Sequence, residues 1–316
     1  KITSYTLCLV AAATMASCSS NKTTSESSAT DTVQTGGLNQ TVLPAPFSTP
    51  SSVKFAEVIG WPDNVTPKAP EGFTVTKFAG GLNNPRWIYV APNGDILVAE
   101  ARTTKKGIKK VASKISGQAK SQNENNEESG NRILLFRDAD NDGIPEVTNV
   151  FLSGLNKPLG MLIVANYFYV ANTDGLWKYP YEPGATSITG QGIKILELPA
   201  GGYNNHWTRN IITNKEQNRI FISVGSGSNV GENGMEYEVR RANILTVNLD
   251  GSDEKIYASG LRNPVGMDWA PGSNQLWTAV NERDGLGDDL VPDYITSVKE
   301  NGFYGWPYAY WGNHAD

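Results

Sequence analysis

The chain has 316 residues, a formal net charge of −5 and only two cysteines, Cys8 and Cys18. The modest negative charge gives no electrostatic case for nucleic acid binding. Because both cysteines lie at the start, the rest of the chain has no disulfide or cysteine metal site. The frequent glycine, proline, tryptophan and tyrosine residues favour many short strands and tight turns over long helices.

Residues 1–18 have the layout of a secretory signal: a basic start at Lys1, a short apolar run, and small residues before Cys18. The segment resembles a bacterial lipobox, which makes Cys18 a candidate lipidation site; the alternative is an ordinary signal peptide. Residues 19–60 are then predicted to be a flexible Ser/Thr-rich tether. We therefore expect export across the inner membrane and anchoring on the periplasmic face, in the outer membrane.

From residue 61 onward a unit recurs in which a short opening leads into an apolar strand, a turn and a second strand. The openings start 73, 52 and 54 residues apart. A period near 50 residues built of short strands is typical of a β-propeller. Residues 61–316 are therefore predicted to be an all-β propeller of four-stranded blades. The four openings are Gly81–Arg86, Gly154–Pro158, His206–Arg209 and Gly260–Pro264.

The long first interval contains an insertion, residues 103–131, that is rich in lysine and glutamate and poor in large apolar residues. It is predicted to be a mobile, solvated loop; the alternative is a docking surface for an electron acceptor. The sequence stops after the apparent strand Tyr308–Trp311, with no closing strand. We therefore expect an incomplete propeller that lacks one or two blades.

An acidic loop follows the insertion. The run Asp138-Ala139-Asp140-Asn141-Asp142-Gly143 has the D-x-D-x-D-G start of a calcium loop. Position twelve is Asn149 rather than glutamate, so the loop is not a standard EF-hand, although Glu146 would complete a smaller site. The alternative is a polar hairpin with no ion.

From about residue 70 to the end, the motifs together resemble the pyrroloquinoline quinone (PQQ) dependent glucose and sorbosone dehydrogenases. The stretch from Asn281 to Gly285 is closer to the sorbosone branch. The resemblance implies a six-bladed propeller whose last part is missing here. The motifs are Gly81–Pro85, His206–Arg209 with Val224–Asn229, Gly260–Gly266 and Asn301–Pro307.

The resemblance also implies a chemistry, the oxidation of a sugar or sorbosone-type aldose by hydride transfer to PQQ. His206 matches the general base of the family. Arg262 and Asn263 match the pair that meets the quinone oxygen, Arg262 stabilising charge as the quinone is reduced, and Arg209 is a second cofactor-binding cation.

A Ca²⁺ ion beside the quinone is implied as well, because the family has a hard oxygen site there. Asp289 and the backbone carbonyl of Tyr304 match its ligands, with Asp288 as a near alternative. The partners implied are a small sugar and an electron acceptor of unspecified identity.

Two positions depart from the soluble glucose enzyme of the family. Asn205 and Ser226 stand where that enzyme has aspartates, and a carboxylate orients an imidazole better than an amide or a hydroxyl does. These departures indicate a base that is weaker, supported differently or tuned for another substrate, and they bear on glucose as the substrate more than on the fold. Two other functions stay open: a non-catalytic propeller that binds carbohydrate or protein, and a calcium-dependent hydrolase of the lactonase type.

Overall fold

The computed structural model describes residues 43–52, 60–62, 65–103, 129–312 and 314–316. In these ranges the regular structure is β-strand, apart from one short 3-10 helix, Met235–Tyr237. No helix in these ranges is long and apolar enough to cross a membrane. The predicted signal peptide with Cys18, most of the predicted tether, and residues 104–128 of the predicted insertion lie outside the described residues.

Four antiparallel sheets follow one another along the chain and form the blades of a propeller. Blade 1 contains β1 (Pro85–Val90), β2 (Ile96–Glu100), β3 (Arg132–Arg137) and β4 (Val147–Leu152). Blade 2 contains β5 (Met161–Val164), β6 (Tyr167–Asn172), β7 (Gly175–Pro180) and β8 (Ile193–Glu197). Blade 3 contains β9 (Ile211–Thr213), β10 (Arg219–Val224), β11 (Asn243–Asn248) and β12 (Lys255–Ser259). Blade 4 contains β13 (Pro264–Trp269), β14 (Leu276–Val280) and β15 (Tyr294–Val298).

Three very short strands follow blade 4. The strand β16 (Gly302–Phe303) adds in parallel to β12, at the outer edge of blade 3. The strands β17 (Ala309–Tyr310) and β18 (His314–Ala315) pair with each other in a small hairpin. The predicted all-β propeller is confirmed, and each predicted opening lies at the start of a blade.

A glycine in the left-handed region explains why three openings share the same first residue. Gly81, Gly154 and Gly260 have φ values of 70°, 72° and 73°. A side chain would strain the backbone there, whereas glycine adopts this conformation at little cost. The repeated glycine therefore sets the same bend into the first strand of blades 1, 2 and 4.

One apolar core lies between each pair of successive blades. Between blades 1 and 2, Phe151 packs edge-on against Phe168 with their ring centroids 5.1 Å apart. Phe221 of blade 3 belongs to the same cluster as Leu276 of blade 4. Fully burying such a side chain is worth roughly 1.5–3 kcal/mol. Because each core is shared, a blade is stabilised by its neighbours more than by its own sheet.

The segment 43–52, hereafter the N-terminal segment, packs on the loop that follows β14. The amide of Phe47 donates to the carbonyl of Leu286, 2.7 Å away. The amide and the hydroxyl of Ser52 each donate to the carboxylate of Asp288 over 2.7 Å. Leu43 joins the apolar cluster around Leu286 and Leu290. This part of the predicted tether is thus attached to blade 4.

Candidate functional site

A polar cavity of about 520 Å³ opens at one rim of the propeller, within the size range of small-molecule sites. The antiparallel pairing of β1 with β2 and of β13 with β14 places the start of one strand beside the end of the next. Residues before blades 3 and 4 meet residues that flank blade 1 in this cavity, where the indole of Trp207 bonds to Thr103. The lining residues are Asn84, Arg86, Arg102, Thr103, Asn205, His206, Trp207, Thr208, Asn263, Val265 and Asn281.

His206 lines this cavity with a fixed ring orientation. Its Nδ1 atom lies 3.0 Å from the carbonyl oxygen of Ser226 and 2.9 Å from the Ser226 hydroxyl. That hydroxyl already donates its hydrogen to the carbonyl of Ser228, 2.6 Å away. Both Ser226 oxygens therefore act as acceptors, and Nδ1 must carry the hydrogen. The basic nitrogen of His206 is consequently Nε2.

The surroundings of His206 keep the imidazole neutral. Burial, together with the positive charges of Arg262, Arg209 and Arg241, lowers the pKa of His206 from 6.5 to about 4. Hydrogen bonding to Ser226 opposes this shift only in part. The imidazole is thus unprotonated at neutral pH, and the arginines create a positive potential at the cavity.

A buried carboxylate, Glu238, holds the loop that orients the histidine. Its oxygens accept from the amide of Gly227 over 2.6 Å and from the amide of Ser228 over 2.9 Å. They also accept the hydroxyl of Ser228 over 2.5 Å. Glu238 therefore anchors the loop whose Ser226 contacts His206. Sequence reasoning missed this residue, because nothing in its own neighbourhood marks it.

Gly225 allows the closest approach within the site. A Cβ atom at this position would lie 2.6 Å from Cβ of His206 and would also collide with Oδ1 of Asn263. That Oδ1 atom is buried and has no hydrogen-bond partner among the described residues. Asn263 is thus held beside Gly225 and His206, and its predicted contact with the cofactor stays a prediction.

The structure does not place Arg262 on the cavity wall. Its guanidinium group donates to the carbonyls of Asn229 over 3.0 Å, of Asn281 over 3.2 Å and of Glu282. It also reaches Oδ1 of Asn229 over 2.6 Å and the carboxylate of Asp284 over 3.2 Å. Arg262 thus joins loops behind the cavity, and its effect on the site is electrostatic.

Arg209 is also directed away from the cavity wall. Its side chain is fully buried and donates to the carbonyls of Pro199, His206 and Thr208 over 2.7–2.8 Å. A fourth contact, of 3.2 Å, reaches Oδ1 of Asn204. Arg209 therefore supports the backbone that presents His206 from behind.

The arginines that do line the cavity are Arg86 and Arg102, and sequence reasoning assigned a role to neither. Arg86 lies with its guanidinium carbon 5.1 Å from the centroid of Trp207, which also lines the cavity. The indole of Trp207 donates to the hydroxyl of Thr103 over 2.6 Å. Because Arg86 belongs to an opening motif, its position at the rim was available from the repeat.

The predicted calcium ligands occupy a different loop region. Both Asp288 and Asp289 are exposed, and the carboxylate of Asp288 is bound by Ser52, which lowers its pKa. The Tyr304 hydroxyl donates to the carbonyl of Ser297 over 2.7 Å. The predicted calcium ligand of Tyr304 is its backbone carbonyl, not this hydroxyl. The calcium site at Asp289, Asp288 and Tyr304 stays a prediction.

The acidic loop after the insertion forms the one carboxylate cluster of metal-binding geometry in the described part of the chain. One carboxylate oxygen from each of Asp138, Asp140, Asp142 and Glu146 lies within 4.8 Å of the others. The loop is closed by bonds from the amide of Gly143 to Asp138 over 2.9 Å and from Ala139 to Glu146 over 2.7 Å. The predicted participation of Glu146 in the cluster is therefore seen.

A family model described as TrAA12-like matches residues 67–301. The chain belongs to the TrAA12-like family. An uncharacterized protein of Borreliella burgdorferi is 32% identical over 170 residues, which are 50% of this chain and 43% of that protein. The resemblance predicted from the motifs is confirmed at the level of family and fold.

Two solved proteins share the fold of this TrAA12-like protein. The holo form of the pyranose dehydrogenase PQQ domain from Coprinopsis cinerea has a TM-score of 0.59 at 18% identity, over 77% of this chain and 59% of that one. An iodide structure of the Trichoderma reesei carbohydrate-active enzyme of family AA12 has a TM-score of 0.58 at 17% identity, over 88% and 64%. A calcium structure of the Trichoderma protein gives 0.56. The chain thus spans about 60% of the length of these proteins.

Proposed function

We propose that this TrAA12-like protein is an oxidoreductase that oxidises a sugar or sorbosone-type aldose with PQQ, and that His206 is its general base. The observation that carries the proposal is a neutral imidazole with a fixed tautomer on the wall of a cavity lined by cations. A general base must have an accessible lone pair at working pH, and Nε2 of His206 meets that condition. The PQQ domain of the Coprinopsis enzyme, which shares the fold, supports the assignment of the cofactor.

The residues of the cavity fit PQQ, a polar quinone that carries several carboxylates. The lining of the cavity contains Arg86 and Arg102, four amide side chains and, among the described residues, no carboxylate. Cations and amide donors are the groups that bind carboxylates and quinone oxygens. The chemistry that PQQ supplies when bound is two-electron oxidation.

A side chain of the protein accepts the proton that the sugar hydroxyl loses. Nε2 of His206 takes the proton of the sugar hydroxyl, while Ser226 holds the opposite side of the ring. A pKa of about 4 makes the imidazole a weak base. The same arginine charges lower the pKa of the bound hydroxyl, because they stabilise an alkoxide. The arginine charges thereby lower both the pKa of the base and the pKa of the substrate hydroxyl.

Calcium belongs to the proposal in two places. The first is the position that the family resemblance implies, at Asp289, Asp288 and the carbonyl of Tyr304. The second is the acidic loop 138–146, whose carboxylate oxygens are the hard ligands that Ca²⁺ prefers. An ion there would stabilise blade 1, since the loop joins β3 to β4.

The cellular setting is proposed from the sequence alone. A lipid on Cys18 would hold the protein at the periplasmic face of a membrane, with a sugar as the small-molecule partner. The electrons would then leave to an acceptor in the same compartment.

The test is a PQQ titration of the full chain with and without Ca²⁺, followed by dye reduction with a panel of aldoses and sorbosone. His206→Asn is the key variant, because an asparagine amide can stand at the position of Nδ1 and still donate to Ser226. We expect it to bind PQQ normally and to lose about 10²- to 10⁴-fold in turnover. A folded protein that fails to bind PQQ would contradict the proposal. Binding without turnover by either form would favour the non-catalytic propeller.

A further inference from the structure

We propose that the cavity selects a sugar that bears a carboxylate, and that Arg86, which lines the cavity, and Lys157, which lies over the cavity residue Trp207, hold that carboxylate. This inference rests on the proposed function, because it names the substrate class of the same site. It differs from the sequence-based expectation of a neutral aldose.

Trp207 brings the two cations together. The guanidinium carbon of Arg86 lies 5.1 Å, and the ammonium of Lys157 5.5 Å, from the centroid of its ring. The indole is buried and is fixed by its bond to Thr103. Two like charges beside one ring repel each other, and both gain when an anion lies between or beside them. Trp207 lines the same cavity as the proposed base His206, so the bound anion would share the cavity with the reacting group.

The charges of this pair are not balanced by the described residues. No carboxylate in the described ranges forms a salt bridge with Arg86 or Lys157. Arg86 is exposed and Lys157 half-buried; partial desolvation lowers the pKa of both side chains, with no acidic partner to oppose it. Other arginines of the chain do have partners: Arg132 pairs with Glu100, and Arg137 with Asp95. The pair is therefore prepared for an anion that comes from outside.

The positive potential at His206 is a separate observation that favours the same class of ligand. It arises from Arg262, Arg209 and Arg241, none of which lines the cavity. A neutral sugar gains little from this potential, whereas a sugar acid is attracted by it. The cavity also has room for a ring and a carboxylate, with amide side chains for the hydroxyls.

The probes are matched pairs that differ only by a carboxylate in place of a hydroxymethyl group: D-glucuronate with D-glucose, and D-galacturonate with D-galactose. We expect the full chain loaded with PQQ and Ca²⁺ to prefer the acid about 10- to 100-fold in kcat/KM, as for a charge-assisted hydrogen bond. The preference should fall as salt is raised. Arg86→Gln and Lys157→Met should each reduce it mainly through KM, and Lys157→Met should leave turnover of the neutral sugars unchanged.

Lys178→Met is the matched control, because the ammonium of Lys178 also lies over a ring, 3.8 Å from the centroid of Tyr167, and Tyr167, unlike Trp207, does not line the cavity. It should retain the full preference. Thermal unfolding of each variant checks that it folds. If Arg86→Gln does not fold, Lys157→Met alone provides the test. An equal response to acid and neutral sugars in the parent chain would overturn the inference.

A cofactor carboxylate could use the same cations, and the arms of the experiment separate the two sources. If Arg86→Gln and Lys157→Met weaken PQQ binding and leave the acid-to-neutral ratio intact, the anion belongs to the cofactor and the inference is overturned. If the chain does not bind PQQ at all, the proposed function fails while the substrate class is still decided. Calorimetric titration without cofactor then supports the inference if D-glucuronate binds more tightly than D-glucose, and overturns it otherwise.

Discussion

Replacing His206 by asparagine should weaken the pH dependence of folding stability between pH 6.5 and pH 4. In the folded protein the pKa of His206 is about 4, below its ordinary value of 6.5. Between these values the unfolded chain binds a proton at this residue and the folded chain does not. The contribution of the neutral His206 to folding stability is therefore fully present above pH 6.5 and is lost as the pH falls toward 4.

The size of this effect follows from the interval between the two pKa values. One pKa unit corresponds to about 1.4 kcal/mol, so the whole interval is worth about 3 kcal/mol. Between pH 7 and pH 5 the loss due to His206 is about 2 kcal/mol. The parent chain should lose this much more unfolding free energy than His206→Asn over that range, because contributions from carboxylates cancel in the difference.

Urea unfolding at pH 7 and pH 5, followed by tryptophan fluorescence, measures both free energies. His314→Asn is the control, because His314 is the other histidine of the chain and does not line the cavity. Because it keeps His206, it should retain the loss of stability that is due to His206. An equal loss in the parent chain and in His206→Asn would refute the reasoning that the imidazole is held neutral. A smaller loss in the parent would show that the protonated form is stabilised instead.

Three further changes test the supports of the site and of the fold. Glu238→Gln puts a donor against the amides that Glu238 binds, so it should cost about 2–4 kcal/mol of unfolding free energy by denaturant titration, whereas its exposed neighbour Glu236→Gln should cost under about 0.5 kcal/mol. Gly160→Ala forces a Cβ to within 2.9 Å of the Arg209 carbonyl and should cost about 1–3 kcal/mol, seen as a lower Tm; Gly201→Ala, with open space around it, should not. Ca²⁺ should raise the Tm of the parent chain, and Asp140→Asn should reduce the rise; a Tm that is indifferent to Ca²⁺ in both would contradict an ion in that loop.

The fold was predictable because its signals are local. Each opening places a left-handed glycine or a turn before an apolar strand, and Gly81, Gly154 and Gly260 adopt nearly the same φ in the structure. The period of these openings then gives the blades. The N-terminal segment was assigned to the tether because its composition is polar, whereas its attachment depends on Asp288, which is far away in sequence.

The site was predictable only in part, because the direction of a side chain is not contained in a motif. His206 and Asn263 reach the cavity, as the resemblance implies. Arg262 belongs to the same motif as Asn263, yet the carbonyls of neighbouring loops capture its guanidinium. Ser226 stands where the soluble glucose enzyme has an aspartate. Here the carboxylate of Glu238 holds the loop that contains Ser226 by accepting from the amide of Gly227, and this contact exists only in the folded chain.

The attachment of the N-terminal segment decides where a shortened recombinant protein should begin. A version that starts at Trp61, the first residue of the predicted propeller, would remove Leu43 and the Ser52 contacts from blade 4. Leu286 and Leu290 would then face water, and newly exposed apolar surface promotes aggregation. A version that starts at Leu43 keeps this cover, so it should be the more soluble of the two during purification.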